Sequence, residues 1–169
     1  MRIAELAQLF NSMDPTPFHH RDLDPNADKF LESWALEFPQ NSHFRVIVHI
    51  EKMPLEDPAP LVAEAIHNHF AYKAMLAKRS LRSLLLEGRT SLLVGLGFLG
   101  LCLLGAELLS GLSSNAFFKV LKESLVIGGW VAMWRPMQIF LYEWWPIIRR
   151  VRIYLKLSQA AVHITPVKK

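Results

Sequence analysis

The stretch that decides the fold is SLLVGLGFLGLCLLGAELLSG, residues 91–111, in which Glu107 is the single charged residue. An α-helix rises about 1.5 Å per residue, so about twenty residues cross a hydrocarbon core of roughly 30 Å. A chain of 169 residues is too small to surround so apolar a helix on every side within a soluble core. The stretch therefore predicts a transmembrane helix.

A second apolar stretch, SLVIGGWVAMWRPMQIFLYEWWPII, occupies residues 124–148 and contains Arg135, Gln138 and Glu143. Its terminal tryptophan pair, followed by arginines, is typical of an interfacial aromatic belt and a positive stop. The two stretches together predict a transmembrane hairpin within residues 89–148. One alternative is open for the second stretch, which is a re-entrant or interfacial segment broken at Pro136.

Charge is distributed unevenly along the chain. Residues 1–64 hold eleven acidic and five basic residues, whereas residues 65–169 hold four acidic and fourteen basic ones. The basic residues crowd around the apolar stretches, so they indicate membrane topology and give no support to nucleic-acid binding. By the positive-inside rule both termini are expected in the cytoplasm and the connection 112–123 outside.

Residues 1–88 are expected to form an acidic cytoplasmic α+β head. Helices are predicted at 2–12, at 25–38 with Asp24 as N-cap, and at 58–88, where the helix is long and amphipathic. The 25–38 helix has an apolar stripe at steps of four, Phe30, Trp34 and Phe38, and the stripe of the 58–88 helix begins with Val62, Ile66, Phe70 and Ala74. Alternating apolar residues at 44–51 predict a strand, whose partner is either the tail segment 160–165 or a strand of another subunit. The fold class is thus a mainly α membrane protein, with a two-helix hairpin and a small α+β head.

Residues 149–169 are expected to form a basic amphipathic tail along the membrane surface. Its apolar face is opposed by basic side chains, which are predicted to contact anionic lipid headgroups. These headgroup ligands are Arg149, Arg150, Arg152 and Lys156.

Small residues recur every fourth position in both apolar stretches, and this spacing allows helices to approach closely in lipid. The predicted helix-packing residues are Cys102, Ala106 and Ser110 in the first stretch, and Gly128 and Ala132 in the second.

Arg135 is the residue whose chemistry demands explanation, because a charge inside a span costs about 2.5–3.5 kcal/mol on insertion scales and needs a partner. The available partners are backbone freed by Pro136, the side chain of Gln138, or a carboxylate, with Glu107 the obvious acid. Glu107, Arg135, Gln138 and Glu143 are therefore the intramembrane polar candidates. They either stabilise a kink or a subunit contact, or they form part of a polar path.

No catalytic or metal-binding constellation is evident in the sequence. Cys102 is the lone cysteine, so no internal disulfide or cysteine-based metal motif is expected. His67 and His69 diverge on a helix, whereas His49 and His163 lie on the two predicted strands and are able to meet across a ladder. We expect no catalytic residue, no metal and no cofactor.

Four stretches, DPTPFH at 14–19, FRVIVHIE at 44–51, GGWVAMWRP at 128–136 and YEWWPI at 142–147, resemble a group of small bacterial inner-membrane proteins that carries a domain of unknown function. The resemblance implies a bacterial source and an inner-membrane location, and it implies no activity.

These observations favour a non-enzymatic membrane subunit or scaffold that self-associates or joins a larger complex. Self-association is expected because the predicted strand has an open edge, the 58–88 helix has a long apolar stripe, and Arg135 has few partners in a two-helix hairpin. The alternative is a pore or carrier component for an ion or small solute, lined by Arg135, Gln138 and Glu143. A lipid-acting enzyme is disfavoured because paired catalytic groups are lacking.

Overall fold

The computed structural model describes residues 2–11, 23–39, 42–51, 58–112 and 115–166 of the chain. The described part is mostly helical, with one small parallel sheet. The chain divides into two units, a head unit of Met1–Lys78 with Ile148–Lys169 and a hairpin unit of Arg79–Ile147. Residues 14–19 and 113–114, which belong to the resemblance and to the predicted outer connection, lie outside the described residues.

The sheet has three parallel strands in the order β1 (Arg2–Ile3), β2 (Arg45–Ile50) and β3 (Ala161–Pro166). The predicted strands near 44–51 and 160–165 are confirmed, and they pair within one chain, from Arg45 opposite Ala161 to Ile50 opposite Pro166. The alternation of β2 also holds, since Val46, Val48 and Ile50 are buried. The sheet therefore shows one face of β2 to the core, as the period-two pattern predicts.

The amphipathic helix predicted for residues 2–12 is wrong. The segment instead forms β1, which lies beside β2 with Ile3 opposite Ile50, and then a short 3-10 helix at Leu6–Leu9. The apolar positions are consistent with a helix locally, but strand pairing satisfies backbone groups that a short surface helix leaves to water. The expectation of one or two strands is accordingly corrected to three.

Helix α1 spans Pro25–Glu37 and begins where the sequence predicts, because the Asp24 carboxylate accepts hydrogen bonds from the N–H groups of Asn26 and Ala27. Its buried face is different from the predicted one. Leu31 and Ala35 are buried, whereas the aromatic residues expected to form the inner stripe are exposed. These exposed residues are Phe30, Trp34 and Phe38.

Helix α2 runs without interruption from Ala59 to Leu112, so the predicted 58–88 helix and the first apolar stretch form one element. Its buried stripe in the head unit consists of Val62, Ile66, Phe70 and Ala74, at the predicted spacing of four. Among the described residues, α2 is the one helix whose length and composition suffice to cross a membrane.

The second apolar stretch is divided into consecutive helical pieces. Helix α3 covers Ala116–Ala132, α4 covers Trp134–Gln138, a π-helical turn covers Ile139–Glu143, and α5 covers Trp144–Leu157. The break lies at Met133, three residues before Pro136. Pro136 is thereby placed in the first turn of α4, where its missing N–H leaves no intrahelical hydrogen bond unmade.

The predicted tail does not form a separate segment. Ile153, Tyr154 and Leu157 of α5 are buried in the core of the head unit, and β3 completes its sheet. The division expected from the sequence, 1–88, 89–148 and 149–169, therefore differs from the observed one, because residues 148–166 join the head. Burial of one α5 face and the β2–β3 hydrogen bonds account for the difference.

We predict that Phe70→Ala destabilises the head by about 3–5 kcal/mol, because Phe70 is fully buried and its removal leaves a cavity between α2 and α5. Urea unfolding in mild detergent, read by pulse proteolysis, measures the change. The matched control is Tyr72→Ala on the same helix, where the side chain is 55% exposed. Equal effects of the two substitutions would contradict the core assignment.

Candidate functional site

A charged triad in the hairpin unit joins Arg135 to two carboxylates. The Arg135 Nη2 donates to Glu87 Oε1 at 2.6 Å, and its Nε donates to the same oxygen at 3.2 Å. The Arg135 Nη1 donates to Glu143 Oε1, also at 2.6 Å. These charge-assisted bonds connect α2, α4 and the π-helical turn.

The local backbone explains how the triad is assembled. Met133 ends one helical piece, so Arg135 lies in the first turn of α4, and Glu143 ends the π-helical turn eight residues later. A Cβ placed on Gly88 would lie 2.8 Å from Ile139 Cγ2. The absent side chain at Gly88 therefore lets α2 pass close to the π-helical turn, next to Glu87.

Of the three kinds of partner predicted for Arg135, the carboxylate is the one observed, but the acids are Glu87 and Glu143 and not Glu107. Glu107 is exposed on α2, twenty residues from Glu87, and is not part of the triad. Gln138 is exposed and lines an open groove with neighbouring apolar residues. Of the four intramembrane candidates, the structure brings together Arg135 and Glu143, and the sequence reasoning missed Glu87. Glu87 was identifiable in principle as the last acidic residue before the uncharged stretch 90–106.

The triad pairs one positive charge with two carboxylates, and it contains no nucleophile. Its side chains are partly accessible, with exposed fractions of 45% for Arg135, 52% for Glu87 and 29% for Glu143. The arrangement is therefore suited to neutralising a guanidinium and tying three helical pieces together, which is a structural task.

The two long helical segments of the hairpin unit meet at small residues. Cys102 and Ala106 are buried. A Cβ on Gly95 would lie 3.0 Å from the Ala132 carbonyl oxygen, and one on Gly129 would lie 2.8 Å from Leu99 Cδ1. Gly129 therefore marks the close approach on α3, whereas nothing lies within 4 Å of a Cβ at the predicted Gly128.

A polar contact also marks the opposite end of the hairpin. The Lys122 Nζ donates to Ser110 Oγ at 3.1 Å, and the Ser110 hydroxyl donates to the Ala106 carbonyl at 3.0 Å. Ser110 is exposed, so among the predicted packing residues it acts through its hydroxyl and not through close approach. The contacts from Gly88 with Ile139 to Ser110 with Lys122 describe one antiparallel register.

The head unit contains a second charged cluster, centred on Lys73 of α2. Its Nζ donates to both carboxylate oxygens of Asp28 at 2.9 Å and to Glu32 Oε2 at 2.7 Å, and the Tyr154 hydroxyl donates to Glu32 Oε1 at 2.7 Å. His69 Nε2 lies 3.2 Å from Asp28 Oδ1. The cluster links α1, α2 and α5, and the sequence reasoning missed it because its members are far apart along the chain.

The pKa values of this cluster follow from burial and hydrogen bonding. Burial opposes ionisation of Glu32, but the hydrogen bonds from Lys73 and Tyr154 outweigh it and lower the Glu32 pKa. Burial likewise disfavours charged Lys73, yet its hydrogen bonds to Glu32 and Asp28 raise its pKa. Burial and the bond to Glu32 raise the pKa of Tyr154 to about 12. The cluster is thus held as a network of ionised Glu32, protonated Lys73 and neutral Tyr154 at neutral pH.

Arg149 and Lys156, which are predicted headgroup ligands, donate hydrogen bonds to backbone carbonyls of the head. The Arg149 guanidinium donates to the Leu36 carbonyl at 2.7 Å, and the Lys156 ammonium donates to the Ser42 carbonyl at 3.0 Å. Arg150 and Arg152 are exposed. The basic face of α5 therefore binds other head segments as well as facing outward.

The histidines of the described residues make separate contacts. His67 Nε2 lies 2.8 Å from the Ala160 carbonyl oxygen, and His49 Nδ1 lies 2.7 Å from Thr165 Oγ1. His49 does not meet His163, because the register places Ile47 opposite His163. Within the described ranges, no group of three or more histidine, cysteine or acidic side chains is placed to hold a metal ion.

Comparisons with protein-family profiles, with curated proteins and with solved structures give no significant match to this chain.

We predict that Arg135→Leu lowers the yield of folded protein, because it leaves the carboxylates of Glu87 and Glu143 without their guanidinium. Adding Glu87→Gln and Glu143→Gln to this variant removes the uncompensated charge and should restore much of the yield. Size-exclusion chromatography in mild detergent measures the folded fraction, with Lys119→Leu as the control for loss of an exposed charge. If Arg135→Leu alone is as abundant and as thermostable as the parent, the structural role assigned to the triad is contradicted.

We predict that Lys73→Met destabilises the head by about 2 kcal/mol at neutral pH, because the partly buried carboxylates of Asp28 and Glu32 lose their counter-charge. The lowered Glu32 pKa means that its stabilisation is present above the ordinary value of 4.5 and is lost as pH falls through the folded pKa. The raised Lys73 pKa means that its stabilisation is complete below 10.5 and is lost as pH rises through the folded pKa.

The difference in the free energy of unfolding between the parent and Lys73→Met should therefore shrink in two directions. It falls as pH drops through the folded pKa of Glu32, and it falls as pH rises through the folded pKa of Lys73. Urea unfolding at several pH values measures it, and Lys78→Met, at an exposed position of the same helix, is the control. A difference that stays constant from neutral pH down to acid pH would rule out the ionic account.

Proposed function

We propose that the protein is a non-enzymatic integral membrane subunit whose hairpin unit crosses the bilayer and whose head unit serves as a cytoplasmic scaffold. The observation that carries the proposal is the band of large apolar side chains exposed around the hairpin unit. Leu101 is 69% exposed, Val131 is 65% exposed and Trp134 is 69% exposed. Soluble monomers rarely expose contiguous apolar surface of this extent, whereas a bilayer solvates it.

Charged residues bound this band at both ends, which supports the same proposal. On α2 the uncharged stretch runs from Thr90 to Ala106, seventeen residues or about 26 Å of helix, close to the thickness of a hydrocarbon core. Glu107, Lys119, Lys122 and Glu123 lie at one end of the band, and Glu87, Arg89 and Glu143 at the other.

The second crossing segment is proposed to be 124–142, shorter than the stretch 124–148 expected from the sequence. Arg135 is its single charge. The Arg135 guanidinium is bonded to Glu87 and Glu143, the two acids that lie at the inner end of the apolar band. The break at Met133 and the π-helical turn are compatible with a crossing segment, because the backbone remains helical on both sides of them.

The orientation is proposed from charge. Basic residues precede Thr90 on α2 and follow the second segment on α5, so both termini are assigned to the cytoplasm and the connection near 112–123 to the outside. The resemblance described above supports a bacterial inner membrane as the location.

Self-association or docking on a larger complex remains part of the proposal, but the surface that supports it is different from the surfaces expected from the sequence. β2 is the central strand, Arg135 is paired within the chain, and the stripe of α2 is buried from Val62 to Ala74. The three surfaces that were expected to need a second copy are therefore covered within the chain, at least in these parts. Among the described residues β3 is the long edge strand, and its edge, which pairs with no described strand, is the surface that supports assembly.

A pore or carrier lined by Arg135, Gln138 and Glu143 is the less supported alternative. The Arg135 guanidinium is bonded to two carboxylates of its own chain, and a hairpin of two helices encloses no channel without further copies. Ion flux into liposomes that contain the purified protein distinguishes this alternative from a scaffold.

The topology is tested by cysteine labelling in a Cys102→Ala background. We expect Asn115→Cys to react with a membrane-impermeant maleimide in intact cells, and Ser158→Cys to react only after the membrane is opened. Alkaline extraction tests membrane integration, and the protein should stay in the pellet. Release into the alkaline supernatant would refute the membrane proposal, and reversed labelling would refute the orientation.

A further inference from the structure

The aromatic face of α1 is exposed in the described part of the head. Phe30 is 52% exposed, and Trp34 and Phe38 are each 38% exposed, at steps of four residues. The three side chains therefore lie on one side of the helix. They leave a continuous aromatic surface on a helix whose other face is buried.

Phe44, which precedes β2, extends this surface. The Trp34 and Phe38 ring centroids are 4.7 Å apart, and Phe44 lies 6.2 Å from Trp34 and 6.5 Å from Phe38. We call Phe30, Trp34, Phe38 and Phe44 the aromatic patch. An open groove beside it is lined by Phe30, Trp34, Arg45 and Ile47, so the apolar surface continues onto the outer face of β2.

Two hydrogen bonds attach the patch to α5, the helix that follows the second crossing segment. Arg149 donates to the Leu36 carbonyl, one of the four α1 carbonyls that lack an intrahelical donor, and its charge suits the helix C-terminus. Lys156 donates to the Ser42 carbonyl, just before Phe44. α5 is therefore bonded to the chain at two points of the patch, two residues before Phe38 and two residues before Phe44.

The charges around the patch match an anionic bilayer surface. Lys29, Arg45 and Arg149 are exposed and adjacent to it in sequence or by contact, whereas Glu37 is the single exposed acidic residue between Trp34 and Phe44 in the described ranges. Aromatic rings flanked by basic residues are typical of surfaces that lie in the interfacial region of a membrane.

We propose that the aromatic patch of α1 is a second, peripheral membrane contact that inserts into the headgroup region of the inner leaflet. This inference rests on the proposed membrane location of the hairpin unit. It assigns the head an attachment to the lipid surface, in addition to the helices α2 and α5 through which the chain enters and leaves the hairpin unit.

The test uses the full-length protein in the Cys102→Ala background, reconstituted into vesicles of phosphatidylethanolamine and phosphatidylglycerol. Single cysteines at Phe30→Cys, Tyr72→Cys and Val131→Cys carry the environment-sensitive fluorophore NBD. Tyr72 is the matched control, because it is an aromatic residue 55% exposed in the same unit and eighteen residues, about 27 Å of helix, from Thr90. Val131 reports on the hairpin unit.

We expect NBD at residue 30 to be blue-shifted and quenched by lipids that carry a shallow nitroxide, at least about threefold more than NBD at residue 72. NBD at residue 131 should be quenched by a deep nitroxide. Replacing phosphatidylglycerol by phosphatidylcholine should weaken the shallow quenching at residue 30, because the basic residues lose their anionic partners.

Each contrary outcome has a distinct meaning. Quenching at 131 without quenching at 30 overturns the peripheral contact and leaves the proposed function intact. Absence of quenching at both positions overturns both. A blue shift at 30 without lipid quenching shows that a second copy of the chain covers the patch, which also overturns the lipid assignment.

Discussion

The pairing of one guanidinium with two carboxylates is the constraint around which the hairpin unit is arranged. Arg135 lies in an apolar stretch, where an unpaired charge is costly, and Glu87 and Glu143 each bond it at 2.6 Å. To reach both acids, the chain breaks at Met133, restarts as α4 and widens into a π-helical turn. Pro136 makes the restart inexpensive, because a proline in the first turn of a helix forfeits no hydrogen bond. The antiparallel register of α2 and α3, with its close approaches at Gly95 and Gly129, is consistent with the same pairing.

The head unit depends on α5 in a comparable way. One face of α5 contributes Ile153, Tyr154 and Leu157 to the core, while Arg149 and Lys156 bind the carbonyls of Leu36 and Ser42. The strand that follows α5 then completes the parallel sheet. Lys73 adds a polar link, since its ammonium contacts Asp28 and Glu32 and lies 4.9 Å from the centroid of the Tyr154 ring. Segments from both ends of the chain thus stabilise each other, and the apolar stretches between them leave and re-enter the same unit.

Local patterns were reliable where one residue type has one strong physical preference. Asp24 and Pro25 start α1 as predicted, the alternation in Arg45–Ile50 forms a strand with one buried face, and the spacing of Val62, Ile66 and Phe70 marks the buried face of α2. They failed where two faces or two partners compete. On α1 the larger aromatic residues were expected inside, but Leu31 and Ala35 face the core, because smaller side chains let the helix lie closer to its neighbours. At the N-terminus, pairing of Ile3 with Ile50 overrode a short helical pattern.

The sequence by itself determined the elements of this protein: an uncharged stretch long enough for a bilayer, basic residues on its flanks, a strand that requires a partner, and an arginine that requires an acid. Each of these follows from short-range physics, because hydropathy, helical rise and the cost of an unpaired charge are readable residue by residue. Only the tertiary structure decided the pairings. Glu87 and not Glu107 neutralises Arg135, Gly129 and not Gly128 marks the close approach, and the tail belongs to the head. These three outcomes depend on contacts between residues 30 to 116 positions apart. A sequence pattern specifies which groups need partners. Register and packing decide which partner each group finds, because all contacting segments contribute to them together.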